Sequence, residues 1–238
     1  MKLFKPLLVA FASLFFSSYA ISQTADDIVN KNIDAIGGKE NWRKIQSMRS
    51  EATLNTQGIE IPVVITQVHN KAAKQEYSVM GMSGYSIISV DGGWNFNPMQ
   101  GQSKPEPMSQ EELNIGKEQL DIQGELLDYR QKGHNVELLE SEDIDGTLCL
   151  KLKLTRKSGR ESFILIDPKT FYVVKTITNI IVNGQEIESS VLLSNYQKLP
   201  EGIVVPFTME NNQLPAPINF SKIEVNPKID DAVFKVQQ

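Results

Sequence analysis

Two histidines, one cysteine and 29 acidic side chains are the groups of this sequence that could do chemistry. His69 and His134 stand far apart, and neither sits with Cys or carboxylates at metal-ligand spacing, so each reads as a surface or strand-end residue. Cys149 lies in the alternating segment Thr147-Leu-Cys-Leu-Lys-Leu-Lys-Leu154 with no histidine or other base nearby in sequence. It reads as a small buried hydrophobe rather than a nucleophile. The acidic stretch from Glu137 to Asp145 matches a calcium loop in composition only. Asp143-Ile144-Asp145-Gly146 lacks the downstream bidentate glutamate and has the chemistry of a hairpin turn. Gly37-Gly38 follows a helical pattern instead of preceding one, which is the wrong side for a phosphate cradle. The chain has no Gly-x-Ser-x-Gly, no supported Ser-x-x-Lys and no Walker or Rossmann glycine pattern. Its many carboxylates allow many acid–base pairings, and nothing singles one out. The expectation is a protein that is not an enzyme and uses no metal or cofactor.

What remains is apolar. In Val90-Asp-Gly-Gly-Trp94-Asn-Phe96-Asn-Pro98 a tight Asp-Gly turn reverses the chain, and Trp94 and Phe96 then share one face of the next strand. They either pack as core or line the concave side of a sheet. Further on, Ser109 and Glu112 form a capping box for a helix expected to run to about Gln131. Leu113, Leu120 and Leu127 repeat every seven residues along it, with Ile115, Ile122 and Leu126 widening the stripe. The approach from Asn97 to Met108 carries three prolines and reads as an extended loop. A helix hung on such an arm is either a movable lid or a permanent core helix. Trp94, Phe96, Leu113, Leu120 and Leu127 are therefore the candidate ligand-binding residues.

The elements that must position them are mostly strands. A lead helix is expected from Thr24 to Ile36, capped by Thr24 and ended by Gly37-Gly38, with a second short turn from Lys39 to Ile45. Alternating segments follow at 47–56, 59–69, 74–80, 85–90 and 93–98, and after the helix at 136–140, 147–156, 161–166, 172–182, 186–196, 204–210 and 218–225. Their connectors carry turn chemistry: Gln57-Gly58, Asp145-Gly146, Ser158-Gly159, Asp167-Pro168-Lys169 and Asn183-Gly184. Roughly eleven closely spaced strands joined by tight loops predict a single antiparallel meander.

The first residues set the compartment. Lys2 and Lys5 precede an apolar run from Pro6 to Phe16, and Ser18 and Ala20 occupy the small-residue positions of a cleavage site. This is the layout of a secretory signal over residues 1–20, with an apolar run too short to span a bilayer. One cysteine permits no internal disulfide, so residues 21–238 form a domain held by its core alone. The net charge is −5, and −7 once Lys2 and Lys5 are removed, which leaves 22 basic against 29 acidic residues. That balance, without a basic cluster, argues against nucleic acid and anionic membrane surfaces.

Three passages resemble the periplasmic lipoprotein carriers of the LolA type and the wider outer-membrane lipoprotein-sorting proteins: "SVDGGWNFNP", "FILIDPKTFYVVKT", and "YQKLPEGIVVPFTM" with the ending "IDDAVFKV". The opening "ADDIVNKNIDAIGGKENWRKIQSM" resembles the lead helix of such proteins. The resemblance implies an unclosed β half-barrel capped by helices, soluble in the periplasm, holding lipoprotein or lipid acyl chains in an apolar cavity. It implies envelope proteins as donor or acceptor, or, in a second reading, a non-catalytic protein-binding or sensor domain on the same fold. Trp94 and Phe96 would face the cavity and the leucine helix would be its lid. Arg49 is the nearest candidate for the family's buried arginine that ties lid to sheet.

Overall fold

A computed structural model describes residues 23–182 and 185–236. The proposed signal segment and the expected Asn183-Gly184 turn lie outside the described residues. Two helices lead, α1 (Ala25–Ala35) and α2 (Lys39–Arg43). Four long strands and two short ones follow: β1 (Ser47–Thr56), β2 (Ile59–Val68), β3 (Ala72–Val79), β4 (Met82–Ser89), β5 (Gly93–Phe96) and β6 (Glu106–Pro107). After α3 (Gln110–Glu118) come β7 (Asn135–Ile144), β8 (Thr147–Thr155), β9 (Glu161–Ile166), β10 (Val173–Val182), β11 (Gln185–Lys198), β12 (Val204–Asn211) and β13 (Ile218–Val225).

All thirteen strands join one sheet in the order β6-β5-β4-β3-β2-β1-β13-β12-β11-β10-β9-β8-β7. Neighbouring strands pair antiparallel, as the two-residue turns require. The ends, β6 and β7, do not pair with each other, so the sheet is not closed. It is nonetheless curled. Ile180 of β10 borders the same hollow as Ser86 and Ile88 of β4, on either side of α3.

Helices and loops cover the concave face. Ile28, Val29 and Ile33 of α1, with Trp42 and Ile45, pack on Leu152, Leu154, Ile164 and Ile166, all buried. The period-2 alternation of β8 and β9 aims those residues to one side. The α1 cap is as expected: Thr24 accepts from the Asp27 backbone N–H, and the Asp27 carboxylate accepts from the Thr24 N–H. Its end passes through Gly37 at φ +111° and meets the β11–β12 turn, where Ile36 O accepts from the Val204 N–H at 2.8 Å.

The long leucine helix is the main correction to the sequence reading. α3 stops at Glu118, and residues 119–134 run through successive turns instead of reaching Gln131 as helix. Gly124 (φ +87°), Asp128 (φ +54°) and Gly133 (φ +80°) adopt left-handed backbone that no continuing helix allows. Lys132 fastens the segment by donating to Asp121 Oδ2 and to Gly124 O. Leu120, Leu126 and Leu127 are buried as their apolar character demands, but they are delivered by turns.

Candidate functional site

The concave face is built around α3. Gly93 and Asn95 of β5 face it. Asn95 Nδ2 donates to Glu112 Oε1 at 3.0 Å, and the Met108 N–H donates to Gly93 O at 2.9 Å. A Cβ on Gly93 would stand 2.5 Å from Met108 Sδ and 3.1 Å from Leu113 Cδ2, so Leu113 lies over that glycine. Gly116 does the same for α3, letting it rest on Ile88.

Strand alternation then places Trp94 and Phe96 on the opposite, convex face. They pair with Ile87 and Tyr85, whose neighbours in register are Lys74 and Glu76 of β3. The expectation that Trp94 and Phe96 line the concave side is therefore corrected. Phe96 stands 5.6 Å from Tyr85, ring to ring, in a convex-side hollow of about 630 Å³ crossed by Ile229, Asp230 and Val233 of the C-terminal segment. Arg49 borders the same hollow, paired with Glu51 and 3.7 Å from Glu224. It does not reach α3 from there, so the lid-tying role expected for it is corrected too.

The arginine that does tie this region to the sheet is Arg156. Its Nε and Nη2 donate to Glu125 Oε1 and Oε2 at 2.5 and 2.7 Å, and Nη1 donates to Ser162 Oγ at 2.7 Å. Glu118, at the end of α3, lies 3.1 Å from Nε and also pairs with Arg160. One buried guanidinium thus holds α3, the turn segment and strand β9 together in a bidentate geometry that only arginine offers. The signal was in the sequence. Leu150, Leu152, Leu154 and Arg156 alternate on one face, so the arginine had to follow the leucines inward.

His69 also stands beside the turn segment, its Nδ1 buried without a hydrogen-bond partner among the described residues. Its Nε2 is 2.9 Å from Asn70 Nδ2, and its Nδ1 is 3.6 Å from Asp121 Oδ1 of the turn segment. Burial pushes the His69 pKa below its ordinary 6.5, Asp121 opposes that, and Lys132 adds to it. Burial lowers the His134 pKa as well. An unfolded chain takes up these protons more readily than the folded one, so the histidine contribution to stability is full above about pH 6.5 and is lost below it. Melting temperature is expected to fall between pH 7 and pH 5.5, and His69→Gln should flatten part of that slope. A slope unchanged in the variant would remove His69 as a contributor.

The most apolar recess lies between α1, residues 123–127 and strands β9 to β12, with a volume of about 250 Å³. Ile33, Ile36, Trp42, Leu127, Leu193 and Val205 are among its walls. Of the five candidate residues, Leu127 borders it; Leu113 and Leu120 serve the docking of α3 and the turn segment. Among the described residues no group of three or more His, Cys, Asp or Glu could hold a metal ion, and no helix is long and apolar enough to cross a membrane.

An antiparallel sheet left open along one side, with helices on its concave face, is the LolA-like half-barrel, and this chain has that fold. A LolA superfamily protein from Nitrosomonas europaea superposes with a TM-score of 0.55 at 15% identity, covering 90% of this chain and 98% of that one. A Vibrio parahaemolyticus domain assigned to the outer membrane lipoprotein-sorting proteins gives a TM-score of 0.51 at 15% identity, over 87% and 94%. No family model and no curated protein matches the chain by sequence.

Proposed function

We propose that this protein is a soluble, non-catalytic periplasmic carrier that holds acyl chains, of a lipoprotein or another lipid-bearing ligand, on the concave side of its sheet. The observation that carries the reading is the recess under α1, whose walls are mostly apolar and most of whose polar wall side chains are bonded within the protein. Each methylene moved from water into such a place contributes about 0.8 kcal/mol, so hydrocarbon binds there without a charged anchor. The fold supports the reading because its helices lie on the concave wall as a separate layer, held by apolar contacts, the Arg156 ion pairs and a few backbone hydrogen bonds such as Val204 N–H to Ile36 O. Release then depends on cargo competing with α1 and residues 123–127 for the walls of the recess.

The test is to extract the purified protein, identify co-purified lipid by mass spectrometry, and titrate a fluorescent fatty acid. Expected are bound lipid and saturable probe binding that Trp94→Ser leaves unchanged, because Trp94 lies on the other face. Protein free of lipid that also ignores the probe would end the carrier reading. The convex hollow, with Arg49, Tyr85 and Phe96, then favours the second reading, an envelope protein-binding domain, since aromatic and arginine side chains concentrate at such contacts.

A further inference from the structure

We infer that the cargo of the recess is a single hydrocarbon chain of about ten carbons, its polar end left in water; this rests on the carrier reading above. Three observations fix the class. The walls are mostly hydrocarbon, and five of the polar side chains among them already have partners. Asn32 Nδ2 donates to Phe171 O at 2.7 Å, Trp42 Nε1 to Ile36 O at 2.9 Å, and Gln123 Nε2 to Ile45 O at 3.1 Å. Tyr196 Oη donates to Val173 O at 2.7 Å, and the Glu125 carboxylate is held by Arg156. With these bonds made and the remaining wall apolar, the recess favours an apolar occupant.

The second observation is size. An apolar cavity of about 150 Å³ takes up one benzene, or about 25 Å³ per carbon. On that scale the recess, at about 250 Å³, holds about ten carbons and so one chain, not two or three side by side. The third is what surrounds it. The two larger hollows beside α3, of about 640 and 650 Å³, are bordered by Glu111, Glu112, Arg160, Glu161, Glu186 and Asn95. Ile88, Ile115, Phe163 and Ile180 also line them, but the charged groups among these walls make both hollows less favourable to hydrocarbon than the recess.

The experiment is a titration of the full mature protein with saturated fatty acids of six to sixteen carbons, each kept below micelle-forming concentration, and with a tripalmitoyl peptide. Affinity is expected to rise about fourfold per methylene and to level off near ten carbons. Leu193→Trp, which fills the recess from a half-exposed strand position, should weaken decanoate binding at least tenfold. An affinity still climbing at sixteen carbons, or a tripalmitoyl peptide held more tightly than decanoate, overturns the single-chain inference and leaves the carrier reading standing. A folded Leu193→Trp protein that binds decanoate normally overturns the location. Absence of binding by every amphiphile removes both. The chain-length series decides the question even if the variant does not fold.

Discussion

Arg156→Met is expected to lower the stability of the protein by about 2–3 kcal/mol and to release residues 119–134 from the sheet. Removing one partner of a buried ion pair costs about 3–5 kcal/mol when the other charge is left stranded in the interior. Here the stranded charges, Glu118 and Glu125, keep 22% and 28% of their side-chain surface in water, so the lower end of the range applies. The arginine itself is only 7% exposed, so its own end of the cluster is made almost wholly out of water. Urea unfolding should show a lower midpoint, and amide exchange should speed up in 119–134 while strands β1 to β4 keep their protection. Arg156→Lys should recover little, because an ammonium cannot span both oxygens of Glu125. Unchanged exchange in 119–134 would show that the apolar contacts of Leu120, Leu126 and Leu127 hold the segment without the ion pairs.

Gly37→Ala should cost about 3 kcal/mol. The residue sits at φ +111°, and an added Cβ would fall 2.2 Å from Gly202 O and 2.7 Å from Ile203 Cα, both backbone atoms that cannot rotate aside. Its neighbour supplies the control. Gly38 has φ +83° but open space where a Cβ would stand, so Gly38→Ala should cost only the left-handed strain of about 1 kcal/mol. A lower urea midpoint at unchanged slope is the expected reading for both. Equal effects of the two substitutions would mean that the close approach of α1 to the β11–β12 turn is unimportant.

The meander was legible because its signals are local. Asp145-Gly146 and Gln57-Gly58 announce hairpins, and strands β1, β2, β8 and β9 fall within a residue or so of the alternating segments. The cap at Thr24 and the capping box at Ser109 likewise announce true helix starts. Helix ends were harder. Leu113, Leu120 and Leu127 fit a helical stripe, yet a buried leucine has the same spacing whether a helix or a series of turns brings it inward. Only Gly124 hinted at the break, and a lone glycine is tolerated in helices. The face taken by Trp94 was not legible either. β5 has only four residues, its two aromatic rings could have faced either side, and its parity is set by α3 lying over Gly93, a contact between distant segments. Arg156 shows the reverse, a site residue readable from alternation alone.

Strand β1 has neighbours of very different origin. On one side it pairs with β2 across a two-residue turn; on the other it pairs with β13, Met48 opposite Val225. The β6–β1 half of the sheet is therefore zipped to the rest by a strand far downstream in sequence, and contacts between such distant segments form slowly. The seam can shut only after β13 has been made, so each half of the sheet has time to form its hairpins before the two are joined.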